Sequence, residues 1–411
     1  MRILQVVPTY LPATRYGGPI YSVHGLSRGL VELGHEVHVF TTNVDGPGVS
    51  KVPVGQPVGI DGVAVWYFPV VHPRRIYRAP ALGRALQRML SQFDIVHLHS
   101  VFLWPTWAAA AACRKAGVPY FLAPRGMMVK ELIQRRSRLA KTVWIRLIER
   151  FNLECAAAIH VTAEIEASEL RKFGLSLPII VTIPNGVALP PKMANQAVRP
   201  DIFNLCQQRP LILYLGRINW KKNLIELVRA MCDVRSGHLG IVGNDEDGYG
   251  EIVSRAASTL GVASRVTVLP RPIVGHEKEA ILSACDLFVL PSLSENFGNA
   301  ALEAAIRGKP IVISENAGMA SFARDYQCGL ICQPSAEGLS HSIAEILNDL
   351  EHARLMGERG RVAATRDYSW SAIASRMSTA YEAAIRNWPQ RMSGNSERCF
   401  TPMITSNRSG A

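Results

Sequence analysis

The stretch Ser294-Glu295-Asn296-Phe297-Gly298-Asn299-Ala300-Ala301-Leu302-Glu303 sets two carboxylates, Glu295 and Glu303, at the two ends of a passage from loop to helix. Just before it, Asp286-Leu287-Phe288-Val289-Leu290-Pro291 is a short apolar run ended by proline, the pattern of a buried strand. Just after it, good helix formers continue to Arg307 and stop at Gly308, and Lys309-Pro310 leads into a second apolar run, Ile311-Val312-Ile313. Glu295 is therefore expected on the loop at the carboxyl end of a strand, Gly298 and Asn299 at a helix start, and Glu303 early in that helix. In an open parallel sheet, ligands collect at that edge. Glycine lets the backbone N–H groups of a helix start approach a phosphate, and ionised carboxylates only accept hydrogen bonds, which suits hydroxyls. Phosphate beside hydroxyls describes a nucleotide sugar.

Outward from this stretch the chain alternates strands and helices in both directions. Arg2 to Val7 reads as a buried strand, Pro8 to Pro19 as a loop carrying Gly17 and Gly18, Ile20 to Leu33 as an amphipathic helix, and His35 to Thr42 as the next strand. Gly17 and Gly18 either admit a phosphate to the first helix start or form a plain tight turn. Further strands are expected at 93–100, 118–124, 158–162 and 179–183. In Phe93-Asp94-Ile95-Val96-His97-Leu98-His99-Ser100, alternation puts His97 and His99 on one face, with His99 nearer the carboxyl end. After Pro184-Asn185-Gly186-Val187 the chain is polar and rich in proline, and the alternation restarts at Leu211-Ile212-Leu213-Tyr214-Leu215. Arg217 and Lys222 fall on the loop after that strand, again at a ligand-binding edge.

The reading is an α/β protein of two Rossmann-like domains with parallel sheets. It divides into a first domain at 1–190, a linker at 191–209, a second domain at 210–368, a terminal helix at 369–388 and a disordered tail at 389–411. The segment Arg125–Arg150 is strongly basic, with Leu139, Val143, Trp144, Leu147 and Ile148 at near-helical spacing. One basic amphipathic helix is expected there, either lying in an anionic membrane interface or packing its apolar stripe on the domain.

Composition excludes several classes. With 411 residues, 48% hydrophobic and 19% charged, the chain is an ordinary globular protein, and no apolar run is long enough for a membrane span. The start, Met1 to Pro8, is read as a buried strand and not as a leader. Eight scattered cysteines give neither a zinc pattern nor a disulfide framework, which points to buried thiols in a reducing cytosol. The net charge of +12 calls for an anionic partner or surface. No nucleic-acid module or interleaved aromatic platform is present, so nucleic acid is not the expected partner. Asp245-Glu246-Asp247 spells a D-x-D, yet its surroundings, Gly243 to Gly248, read as an exposed turn and not as a metal site.

The segment from Glu295 to Glu303, with Phe297-Gly298-Asn299 and Gly308-Lys309-Pro310 around it, closely resembles the E-x7-E signature of retaining glycosyltransferases of family 4, which have the two-domain GT-B fold with two sheets facing across a cleft. Gly216-Arg217, the five-residue step and Lys222 resemble the family's pair of cations that face the donor diphosphate, with Asn223 where glycine is usual. Asp94-Ile95-Val96-His97-Leu98-His99 resembles its active-site histidine pattern. The resemblance implies catalytic roles for His99, Arg217, Lys222 and Glu295. It places the donor against Gly17, Gly18, Arg217, Lys222, Glu295, Asn296, Phe297, Gly298, Asn299 and Glu303, with Glu303 on the ribose and Glu295 on the sugar. It implies a UDP- or GDP-sugar as substrate, no metal or other cofactor, retention of anomeric configuration, and a terminal helix that returns to the first domain. Pro270-Arg271-Pro272 lies where the family's loop near the nucleotide base is found, though two prolines remove backbone donors there.

The wording of Val101 to Trp107, Ala123 to Met127 and Ser294 to Asn299 looks like bacterial members that assemble exopolysaccharide or lipopolysaccharide. It implies a lipid-linked saccharide acceptor and a place in the cytoplasm or on the inner face of the plasma membrane. The rival readings are a nucleotide-sugar epimerase or hydrolase of the same fold and a non-enzymatic two-domain sugar-binding protein.

Overall fold

The computed structural model describes residues 1–13, 17–135, 138–190, 197–245 and 247–394. They divide into two units, one of Met1–Pro184 with Trp370 onward and one of Asn185–Ser369.

In the first unit the strands are β1 (Arg2–Val6), β2 (Glu36–Thr42), β3 (Val44–Asp45), β4 (Gly48–Val49), β5 (Pro57–Ile60), β6 (Val63–Phe68), β7 (Ile95–His99), β8 (Tyr120–Ala123), β9 (Ala158–Val161) and β10 (Ile180–Thr182). Their main sheet runs β10-β9-β8-β7-β1-β2-β6-β5, parallel except where β5 pairs antiparallel with β6; β3 and β4 make a separate small hairpin. In the second unit β11 (Leu211–Leu215), β12 (His238–Val242), β13 (Val266–Leu269), β14 (Leu287–Leu290), β15 (Ile311–Ser314) and β16 (Gly329–Cys332) form an all-parallel sheet in the order β13-β12-β11-β14-β15-β16. Helices cover both faces of such sheets, so the central strands are apolar along their whole length; β11, β14 and β15 are buried at every residue. The order reverses between β1 and β7 in one sheet and between β11 and β14 in the other. Each unit therefore has a doubly wound topology with its switch point between those strands.

The helix Trp370–Gly394 belongs to the first unit, where Ile373, Ala374, Met377 and Tyr381 enter the core. Its contact with the helix Gly18–Glu32 depends on two missing side chains. A Cβ on Gly25 would sit 2.1 Å from Cε2 of Trp370, and one on Gly29 2.8 Å from the Trp370 carbonyl oxygen. An alanine inside a helix ordinarily gains about 1 kcal/mol over glycine, whereas overpacking costs about 3 kcal/mol. Gly25→Ala is therefore expected to destabilise by about 2 kcal/mol. A chemical-denaturation midpoint checks it, and Trp370→Ala in the same chain should recover part of the loss.

Several expected boundaries move. The linker read at 191–209 holds a helix, Pro200–Cys206, whose Ile202 and Leu205 are buried in the second unit's core; residues 191–196 lie outside the described residues. The terminal helix passes through Pro389 to Gly394, and the remainder of the expected tail, 395–411, lies outside them too. In the basic segment, Lys130–Arg135 is helical, residues 136–137 lie outside the described residues, and from Arg138 the helix runs on through Arg138–Trp144, a π-helical turn at Ile145–Glu149 and Arg150–Glu154. The π turn rotates Glu149 inward, where it accepts from Trp144 Nε1 at 2.9 Å and from Phe102 N at 2.6 Å, pinning a loop whose Ser100 and Phe102 have positive φ. Among the described residues Cys113, Cys285, Cys328 and Cys332 are free and buried as expected, whereas the free Cys206 is half-buried and the free Cys232 exposed. No helix among the described residues is long and apolar enough to cross a membrane.

Candidate active site

Two loops meet at the switch point of the second sheet, one after β11 and one after β14. Asn219 opens the first by accepting from Lys221 N at 3.1 Å, and Tyr214, fully buried, holds it from below by donating to the Arg217 carbonyl at 2.7 Å. Asn223 closes that loop at φ 58°, a left-handed conformation asparagine tolerates, which accounts for a non-glycine residue there. Leu293 N then donates to the Lys221 carbonyl at 2.9 Å, joining the two loops. That join brings the Lys222 ammonium onto Glu295 Oε2, with the side chains 12% and 20% exposed. Arg217 stands exposed beside them on the same loop.

Glu295 is fixed by its own backbone, donating to the Asn316 carbonyl at 3.2 Å and accepting from Gly318 N at 3.0 Å. Phe297 accepts from Met319 N at 2.8 Å while its ring enters the core, so its side chain is structural and only its backbone faces the loop. Gly298 has φ 111° and caps the seven-residue helix Asn299–Ala305; a Cβ there would meet Leu290 at 2.9 Å. Asn299 Oδ1 accepts from Asn185 Nδ2 at 2.9 Å. Glu303, one turn on, pairs with Lys278 at 2.7 Å. Lys278 was missed in the sequence because nothing local distinguishes it from any lysine on an amphipathic helix. Each glutamate of the signature thus has its own ammonium partner.

The D-x-D segment is committed elsewhere. Asp245 accepts from Tyr249 N at 2.8 Å and Gly250 N at 3.0 Å, capping the helix Tyr249–Thr259, and Glu246 lies outside the described residues. Arg271 forms bonds of 2.8–3.1 Å to Asp201 and one of 3.2 Å to Glu277. Arg199 grips Glu277 with bonds of 2.7 and 2.8 Å; hydrogen bonding from Arg199, with Arg271 adding to it against the opposing effect of burial, holds the Glu277 carboxyl down to about 2.

At the switch point of the first sheet, Gly17 has φ 70° and precedes the helix Gly18–Glu32, with Gly18 as its first residue. His99 ends β7 and is 1% exposed. Its ring lies 4.2 Å from that of His97, as alternation along the strand requires. Both nitrogens of His99 are engaged, Nε2 with Gln5 Oε1 at 2.7 Å and Nδ1 with the Arg125 guanidinium at 3.0 Å. Gln5 Nε2 reaches the Tyr381 hydroxyl at 3.4 Å, that hydroxyl lies 2.7 Å from His97 Nδ1, and His97 Nε2 lies 3.3 Å from His160 Nδ1. His160 Nε2 ends the chain on the Ile183 carbonyl at 2.8 Å.

Because a guanidinium only donates and a carbonyl only accepts, the protons can run one way through this series. Each imidazole then carries its proton on Nε2. Burial, reinforced by neighbouring positive charge, pushes His97 and His99 well below the ordinary imidazole range and His160 down to about 3. His99 in this arrangement is a neutral acceptor that aims Arg125, and protonating it would set N–H against N–H. Gln5, His160 and Tyr381 escaped the sequence reading, since only the fold brings them to β7. Glu166 accepts from Gly126 N at 2.7 Å and Thr162 N at 2.9 Å, tying the loops after β8 and β9 together.

The family model described as "Glycosyl transferase 4-like domain" matches residues 17–186, and the one described as "Glycosyl transferases group 1" matches 199–363. An uncharacterized glycosyltransferase of Methanocaldococcus jannaschii is 24% identical over 405 residues, covering 94% of this chain and 99% of its own. Among solved structures, the sucrose-phosphate synthase of Thermosynechococcus elongatus superposes with a TM-score of 0.74 at 22% identity, over 94% of this chain and 100% of that one. The HepE protein of Anabaena in complex with UDP-glucose gives 0.70 at 16% identity, over 93% and 100%. At these identities the structures speak for the fold.

Proposed function

Because the chain belongs to the group 1 glycosyltransferases of family 4, with the GT-B fold, we propose that it transfers a sugar, with retention of anomeric configuration, from a UDP- or GDP-sugar to a lipid-linked saccharide during assembly of bacterial cell-surface polysaccharide. It is a transferase enzyme; the finer assignment rests on the Lys222–Glu295 pair at the switch point of the second sheet. As the bond from C1 to the diphosphate breaks, negative charge grows on the leaving group. Arg217 and Lys222, cations on one loop, would stabilise that charge electrostatically, so the reading assigns no step to a metal. Glu295 accepts from a sugar hydroxyl and Glu303, held by Lys278, from the ribose. The leaving phosphate itself assists deprotonation of the acceptor, which attacks from the same face. UDP-glucose in the Anabaena neighbour supports a nucleotide-sugar donor of this kind.

The lipid-linked acceptor is supported by the basic segment. Leu139, Val143 and Leu147 are 83%, 55% and 61% exposed, so that part of the apolar stripe is left uncovered, while Trp144 and Ile148 are half-buried. Lys130, Arg146 and Arg150 are exposed around it, and an exposed apolar stripe with a basic border suits an anionic membrane interface.

The test is release of UDP or GDP from a panel of nucleotide sugars, with and without vesicles made from bacterial membrane extract. Release should require the vesicles, and Leu139→Glu with Leu147→Glu should lower it at least tenfold while nucleotide-induced thermal stabilisation is kept. Release that proceeds equally without an acceptor would replace transfer by hydrolysis, the one rival this assay separates directly.

A further inference from the structure

One cavity is lined wholly by residues of the first unit and involves neither of the glutamate–lysine pairs. It is an open groove of about 890 Å³ between the helix Trp370–Gly394 and the edge of the main sheet at β10. A volume of this order is typical of small-molecule sites, and such sites are mostly apolar with a few placed polar groups. Here the helix presents Ala380, Ala383 and Ala384, whose small side chains stop short of the sheet, and the sheet side offers Phe121, Ile179 and Val181. Ile179, beside β10, is 68% exposed, so an apolar sheet edge is left uncovered. Trp388, 5% exposed and donating to the Gly117 carbonyl at 2.7 Å, gives the groove a rigid wall.

Arg376 and Arg391 also line the groove. Fifteen residues on one helix separate them by about 22 Å at 1.5 Å per residue. Arg376 donates to the Thr182 carbonyl at 3.3 Å and Arg391 to the Glu154 carbonyl at 3.1 Å. Neither forms an ion pair with a carboxylate among the described residues, and each guanidinium has five N–H donors. Arg391 is only partly exposed, and its burial draws its pKa downward. A cation held partly out of water without a counter-ion is unfavourable until an anion joins it.

We infer that this groove binds a long-chain alkyl phosphate, its single hydrocarbon chain lying along Ala384 and Ala380 over β10 and its phosphate on Arg391. The chain covers the exposed sheet edge, and the headgroup supplies the counter-charge. The site is separate from the donor loops and does not depend on the transferase reading.

The experiment is isothermal titration of the full chain with dodecyl phosphate below its micelle concentration, beside dodecyltrimethylammonium, which has the same chain and the opposite charge. Saturable one-to-one binding of the phosphate is expected, at least tenfold tighter than the ammonium. Arg391→Gln should weaken the phosphate at least tenfold and narrow the preference, and Ala384→Trp, which fills the groove, should abolish binding while circular dichroism stays unchanged. Equal affinity for the two probes overturns the inference, and so does unaltered binding in a folded Ala384→Trp variant. Should Ala384→Trp fail to fold, the charge preference of the native chain and its response to Arg391→Gln decide the matter alone.

Discussion

Lys222→Met is expected to lower the rate of sugar transfer by about 10²–10³-fold, the range seen when one preorganised donor to a developing oxyanion is removed. The side chain is 12% exposed and faces Glu295, so the substitution also leaves a carboxylate without its partner. Because the pair keeps some contact with water, that loss should cost about 1–2 kcal/mol of stability, less than for a fully buried pair. Glu295→Gln leaves an uncompensated ammonium and should cost a similar amount. In the double variant the stability losses do not add, since no charge is orphaned, and the melting temperature should recover toward the native value. Activity should not recover. If the pair were only structural, the double variant would regain activity together with stability. Parallel measurement of thermal unfolding and of nucleotide release separates the two roles.

That pairing shows where sequence reading reaches and where it stops. The positions of Lys222 and Glu295 at the carboxyl ends of two strands follow from apolar runs ended by glycine or proline. Their contact follows from β11 lying next to β14, a neighbour relation that only the completed sheet supplies. In the same way, alternation along β7 places His97 and His99 on one face, but Tyr381, 284 residues from His97, reaches it only because the terminal helix returns to the first unit. Other features carried a local signal that was passed over. Asp61-Gly62, at φ 49° and 80°, joins β5 to β6 in a tight hairpin, and an Asp-Gly pair between alternating apolar residues marks such a turn. Pro200 opening Pro200-Asp201-Ile202-Phe203-Asn204-Leu205-Cys206, with apolar residues three apart, marks a helix start inside the supposed linker. The π turn at Ile145–Glu149 had no such mark; its apolar spacing is that of an ordinary helix, and the inward demand of Glu149 comes from Trp144 together with a loop more than forty residues upstream.

The buried histidines make the first unit the acid-sensitive one. Above about pH 6.5, the ordinary imidazole value, neither the folded nor the unfolded chain protonates them. Below it the unfolded chain takes up protons at His97, His99 and His160, whereas the folded chain holds all three neutral, His160 down to about pH 3. Depressed folded values therefore mean stability that is whole above pH 6.5 and lost as the pH falls, at about 1.4 kcal/mol per pH unit for each histidine. At pH 5 the loss for His160, whose folded value lies at about 3, approaches about 2 kcal/mol, and His97 and His99 add to it in the same direction. Glu149 works in the other direction, since burial raises its carboxyl and acidification favours its folded form, but it is one group against three. In the second unit, the stability that Glu277 contributes is whole above about 4.5, the ordinary carboxylate value, and is lost as the pH falls from there toward about 2, a lower window. Denaturant unfolding followed by tryptophan fluorescence should show a transition of the first unit that moves steeply to lower denaturant between pH 7 and pH 5. The second unit's transition should move less. His160→Gln should flatten the slope of the first transition. A folded-state imidazole signal for His97, His99 or His160 that titrates above pH 6 by NMR would show that the neutral series of hydrogen bonds from Arg125 to Ile183 does not hold.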